Sequence, residues 1–259
     1  MKTKALLAII TATCFFSFAQ HQNANRQYYQ LKVYSFDTDE QMKRTDAFLK
    51  DAFMPALKKL DIGPIGVFKP RATDSVTPKK TYVLIPFNSL VQFGLYEDAI
   101  MDDEKFQKDG SAYLTAAHDK APYNRIQSIL MRAFVEMPIM EPSKLDGPRK
   151  DRIYELRSYE GATEDLYRKK VDMFNAGGEV KLFDRLGFNA VFYAEVLSGS
   201  RMPNLMYMTT HENQEIRDTN WKNFVDSPEW GKLKVMPKYQ NTVSRNEQTF
   251  LYPTEYSDY

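Results

Sequence analysis

A single cysteine among 259 residues excludes a disulfide framework and any cysteine-based zinc cage. With only three histidines, no histidine-rich metal centre is predicted. Charge of one sign is missing too. Thirty-five Lys and Arg face 34 Asp and Glu, a net charge of +1, so the broad basic footprint of a nucleic-acid binder is absent. Beyond residue 19 no apolar run reaches the length of a membrane-spanning helix. There is no Gly-x-Ser-x-Gly elbow, no phosphate loop, no dinucleotide fingerprint and no calcium-loop spacing. What is present is an ordinary globular composition, 43% hydrophobic and 27% charged, and 14% of the residues are aromatic. A chain of this length can bury a core without metals or disulfides.

The first nineteen residues read as a secretory signal peptide. Lys2 and Lys4 form a short basic start, an apolar stretch runs from Ala5 to Phe18, and Ser17-Phe18-Ala19 supplies small residues at a cleavage site. Cleavage after Ala19 removes two lysines, no acids and the only cysteine, Cys14, leaving 33 basic and 34 acidic residues. A cysteine-free chain suits an oxidising compartment. The expectation is export, to a periplasm or out of the cell, with residues 20–27 a flexible lead-in.

The chain then repeats itself. Tyr29-Gln30-Leu31-Lys32-Val33-Tyr34 matches Tyr154-Glu155-Leu156-Arg157-Ser158-Tyr159 at an offset of 125, and both segments alternate as strands do. A helical pattern follows each. In the first, Thr38 and Gln41 are spaced as a capping box. Pro55 and Gly177-Gly178 interrupt the two patterns at similar depth, predicting a kink or split. Gly63 and Gly187 stand where a helix C-cap belongs. Val67-Phe68 and Val191-Phe192 open second strands, and Thr81 to Phe87 and Leu205 to Thr210 read as third strands. Helical regions near 89–117 and 213–235 and closing strands near 124–135 and 241–251 complete each unit.

Each unit reads β-α-β-β-α-β, the ferredoxin-like arrangement. The predicted organisation is a first half at 28–137, a proline-rich linker at 138–151 and a second half at 152–259. A sheet with helices on one face leaves its other face bare, and two such sheets can cover each other. The predicted fold class is therefore α+β, with two tandem ferredoxin-like halves forming an intramolecular dimeric α+β barrel. Two independent domains are the alternative.

The second half resembles a known family. Ile153 to Tyr159 is similar to the opening strand of the NIPSNAP domain, Trp221-x-x-Phe224 with Ser227-Pro228-Glu229-Trp230 to its second helix, and Leu251-Tyr252-Pro253-x-x-Tyr256-Ser257 to its close. The first half is a weaker copy, in which Phe106 and Tyr113 are expected in the places of Phe224 and Trp230. The resemblance implies the dimeric α+β barrel and no particular catalytic set. Relatives by fold include small monooxygenases, haem proteins and dehydratases.

Few residues are candidates for chemistry. Of the histidines in the folded region, His118 sits at the end of a helical run. His211 is expected where a strand meets a loop, either as a rim histidine satisfied by the backbone or as the best candidate acid/base residue. Glu155, Arg157 and Tyr159 share one face of a strand, with Gln30, Lys32 and Tyr34 as their repeat counterparts. Charges on a covered face are either paired, here across the two sheets, or line a polar cavity. Trp221, Phe224 and Trp230 form an aromatic stripe that is core or ligand platform. Arg217 and Lys222 read as a solvated face. Ser227-Pro228 is expected to start a new helix.

The expectation is an exported protein that binds a small organic molecule in a helix–sheet cleft, through Glu155, Arg157, Tyr159, His211 and Trp221. No metal, cofactor or nucleic acid is predicted, and the state is monomer or homodimer. Two other readings stand: a cofactor-independent or haem-related enzyme, and an interaction module of the cell envelope.

Overall fold

The computed structural model describes residues 26–72 and 78–259. The predicted signal peptide, most of the lead-in at 20–27 and part of the connection from Lys69 to Lys80 lie outside the described residues.

Eight strands carry the fold: β1 (Tyr28–Ser35), β2 (Gly66–Pro70), β3 (Lys80–Phe87), β4 (Arg125–Ala133), β5 (Ile153–Glu160), β6 (Ala190–Ser198), β7 (Asn204–His211) and β8 (Arg245–Pro253). In the first half the order is β4-β1-β3-β2, and in the second β6-β7-β5-β8. Every pairing is antiparallel. The two sheets do more than cover each other. β2 pairs with β8 and β4 with β6, so they close into one barrel without a free edge. These seams are short, three and four residue pairs against eight between β1 and β3.

Alternation sorts the side chains. Tyr29, Leu31 and Val33 of β1 point into the barrel with Tyr154 and Leu156 of β5. The intervening residues face the helices, which cover the outside. Those of the first half are α1 (Asp39–Phe48), α2 (Met54–Lys59), α3 (Leu90–Met101), α4 (Glu104–Asp109) and α5 (Ser111–Leu114). Those of the second are α6 (Glu164–Phe174), α7 (Glu179–Arg185), α8 (Gln214–Asp226) and α9 (Pro228–Leu233).

The local rules explain the breaks. Thr38 and Gln41 form the capping box at α1. A π-helical turn at Leu49–Phe53 joins α1 to α2, where Pro55 sits in the first turn and needs no donor. Gly178, at φ 87°, separates α6 from α7. Gly187, at φ 78°, follows α7 as expected, but after α2 the left-handed residue is Asp61, at φ 55°, and Gly63 lies beyond it in the loop. Ser227 caps α9, with Pro228 at its first position. α4 and α9 begin alike, so Phe106, third in α4, takes the place of Trp230, third in α9, rather than that of Phe224.

Candidate functional site

Three residues of β5 and two of α8 meet on the helix side of the second sheet. Strand alternation turns Glu155, Arg157 and Tyr159 toward α8, and helical i,i+4 spacing sets Arg217 above Trp221 on the facing side. Glu155 is completely buried. Its carboxylate accepts from Arg157 Nε (2.6 Å), Arg217 Nε (2.7 Å) and Nη2 (2.9 Å), Trp221 Nε1 (2.9 Å) and Gln248 Nε2 (2.7 Å). Burial alone would raise its pKa. The hydrogen bonds from Arg217, the charges of Arg157 and Arg217 and the indole N–H outweigh that and hold it below the ordinary carboxylate value.

Arg157 stands over Trp221, its guanidinium carbon 3.9 Å from the ring centroid. Its Nη1 donates to the Tyr159 hydroxyl at 3.1 Å, and that hydroxyl pairs with the Tyr207 hydroxyl at 2.8 Å. Burial works against the Arg157 charge, but Tyr207, Tyr159 and Glu155 more than compensate. The guanidinium of Arg217 stands 5.4 Å from Trp221 and 5.1 Å from Phe250. Further in, Lys170 and Glu179 form a buried ion pair at 2.9 Å, with the ammonium 5.7 Å from the Tyr159 ring.

Two guanidiniums share one buried carboxylate, and the remaining acid, Asp218, pairs with Arg217 Nη1 from an exposed position. Arg157 Nη2 has no hydrogen-bond partner among the described residues and is not sealed from solvent. In the first half Lys32, the counterpart of Arg157, is matched one to one by Glu97 of α3 at 3.0 Å. Gln30 takes the place of Glu155 and contacts Tyr96.

Two expectations are corrected here. The paired charges run between sheet and helix rather than between the two sheets, whose facing residues are largely apolar. Arg217 is no solvated side chain but a principal partner of Glu155, whereas Lys222 is exposed and pairs with Asp226. The i,i+4 relation of Arg217 to Trp221 was the available signal.

His211 is near the cluster but not at a rim. It is completely buried at the end of β7, its ring edge-on to Phe188. Asn220 Nδ2 lies 3.2 Å from its Nδ1, which makes that nitrogen the acceptor and places the ring proton on Nε2, toward Thr209. Burial lowers its pKa to about 4, against the pull of Glu155. Its surroundings favour the neutral imidazole, packed among Phe188, Asn220 and Thr209. His118 is exposed on a short turn at His118–Lys120. Among the described residues no group of three or more His, Cys, Asp or Glu is placed to hold a metal ion. Among the same residues no helix is long and apolar enough to cross a membrane.

The family model for NIPSNAP matches residues 154–258, the half that carries this cluster. Among solved structures, a protein assigned as a monooxygenase from Lactobacillus acidophilus NCFM superposes with a TM-score of 0.56 at 10% identity, over 88% of this chain and 94% of its own. A second so assigned, from Fusobacterium nucleatum subsp. nucleatum, gives 0.52 at 7% identity over 88% and 92%. A NIPSNAP family protein from Agrobacterium tumefaciens str. C58 covers 41% of this chain with 97% of its own, at 16% identity and a TM-score of 0.36. No curated protein matches the sequence. At these identities the two longer superpositions show the fold, both halves included, and nothing of the chemistry.

Proposed function

We propose that the second half, whose residues 154–258 match the NIPSNAP family model, binds a small, flat organic anion at the Arg157–Trp221 edge of the helix–sheet cleft. One observation carries this reading: two guanidiniums share a single buried carboxylate, and one Arg157 nitrogen is left to donate beside an aromatic face. Glu155 is the positioning residue, since its five hydrogen bonds fix the plane of both guanidiniums. Tyr159 holds Arg157 from the other side. A carboxylate on a conjugated or aromatic body satisfies both requirements, charge for the free Arg157 nitrogen and a flat body beside the Arg157–Trp221 stack.

Calorimetric titration with benzoate-like carboxylates, matched amines and sugars tests this. The carboxylates are expected to bind saturably and the amines not at all. Arg157→Gln lowers the affinity about tenfold or more, the range of a charge-assisted hydrogen bond, and Arg157→Lys restores it only in part. Equal affinity of Arg157→Gln and the parent protein would overturn the assignment.

The same proposal includes export. The pattern at residues 1–19 supports a mature chain beginning at Gln20. Terminal sequencing of protein recovered outside the cytoplasm should read Gln20 first. Intact Met1 on protein confined to the cytoplasm would contradict it.

A further inference from the structure

The interior of the barrel is not uniformly filled. Along β1 the inward residues run Tyr29, Leu31, Val33, and along β5 they run Tyr154, Leu156, Ser158. Side-chain volume therefore shrinks in the same direction on both strands. At the bulky end Tyr154, Phe68 and Tyr259 pack ring against ring, with centroids 5.0–6.4 Å apart, and close the lumen. At the other end an eight-stranded barrel, just wide enough to be filled by large side chains, is left with a cavity of about 100 Å³.

The floor of this cavity is apolar, made by Leu31, Leu156, Val196 and Met206. Its mouth is polar. Ser158 and Asn204 are hydrogen-bonded to each other and buried, and Tyr82 sits beside them. Lys80 and Arg201 line the entrance. Lys80 lines the mouth beside an acid, Glu247, that is already taken by Arg201.

We propose that the barrel lumen is a second ligand site, for a short-chain aliphatic carboxylate whose tail enters the cavity and whose head stays at the mouth with Lys80. The size sets the tail. A cavity of ~150 Å³ lined by aliphatic and aromatic side chains holds benzene, so this one accepts about four carbons. The charge selects the head, since the entrance has two cations against one committed acid. Apolar floor and hydrogen-bonding rim together are the ordinary form of a small-molecule site. It lies on the opposite face of the β5 sheet from the Arg157 cluster, because Leu156 and Ser158 alternate with Glu155 and Arg157. The two sites are therefore separable.

Calorimetry and methyl NMR of the full chain with sodium valerate, 1-butanol and butylamine test the site. Valerate is expected to bind saturably and to shift the Met206 methyl signal. Lys80→Met weakens it at least tenfold, and Ser200→Trp, at the exposed rim, blocks it. Arg157→Gln, which impairs the cleft site, leaves it unchanged. Equal binding of 1-butanol would overturn the carboxylate assignment. Valerate binding that ignores both Lys80→Met and Ser200→Trp, or no binding at all, would overturn the site.

Discussion

Glu155 concentrates the electrostatics of the second half in one side chain. Removing its charge leaves two partly buried guanidiniums without a shared counter-ion, so Glu155→Gln is expected to cost about 3 kcal/mol in denaturant unfolding, the lower end for a broken buried pair. A loss under about 1 kcal/mol would show the cluster to be solvated rather than coupled. His211 makes a prediction about pH. Its folded pKa of about 4 lies below the unfolded value of 6.5, so between these the unfolded chain takes up a proton that the folded chain refuses. Stability therefore falls as pH drops from 6.5 to 4, by up to about 3 kcal/mol from this residue. Glu155 acts in the same sense lower down, since its contribution is present above about 4.5 and is lost as pH falls through its depressed value. His211→Phe, which copies the buried Phe87 at the same point of the first half, should flatten the slope between pH 6.5 and 4 in a series of melting curves. An unchanged slope would contradict the buried, neutral assignment. At this scale the strand residues Glu155, Arg157 and Tyr159 were legible, because period-two alternation places them together. Arg217 was harder to read, because on an otherwise polar helix only its i,i+4 spacing from Trp221 marks it as facing the sheet.

Helix and strand termini follow chemistry that a sequence displays. The capping box at Thr38, the break at Gly178 and the Ser227-Pro228 start all stand where short-range rules put them. Ser227 receives the Trp230 N–H at 3.2 Å, and its hydroxyl donates to Phe224 O at 2.8 Å. Ser227→Ala should cost about 1 kcal/mol of stability, measured by denaturant unfolding, as for other lost N-caps. A change near zero would mean that Pro228 alone defines the start of α9. The pairing of Phe106 with Trp230 was harder to see. Caps fix it, and Asp103 and Ser227 are different residues performing the same task, so matching aromatic to aromatic misplaces the register between the two halves. The same limit applies at Asp61, which takes the left-handed turn that a glycine was expected to hold.

In the whole molecule the two halves are one closed sheet. The repeat announces two like units, and the bare face of each calls for the other. Strand alternation does not announce that their edges join, because the β2–β8 and β4–β6 seams use only a few residue pairs. Those seams make the halves interdependent. Expressed alone, residues 138–259 would expose the apolar lumen face and the free edges of β6 and β8. That fragment is expected to pair with a second copy or to unfold, read by sedimentation and circular dichroism, and a folded monomeric fragment would contradict the account. Closure also leaves no sheet edge free for a further copy among the described residues.

The proposed reading of an organic anion by Arg157 and Trp221 can be followed directly, because the chain has only two tryptophans. In Trp230→Phe the remaining indole is the one against Arg157. Titrating that protein with an aromatic carboxylate should change its fluorescence saturably, and Arg157→Gln in the same background should weaken or abolish the response. A Trp221 signal that stays flat with every carboxylate, or that responds equally without Arg157, would contradict that reading.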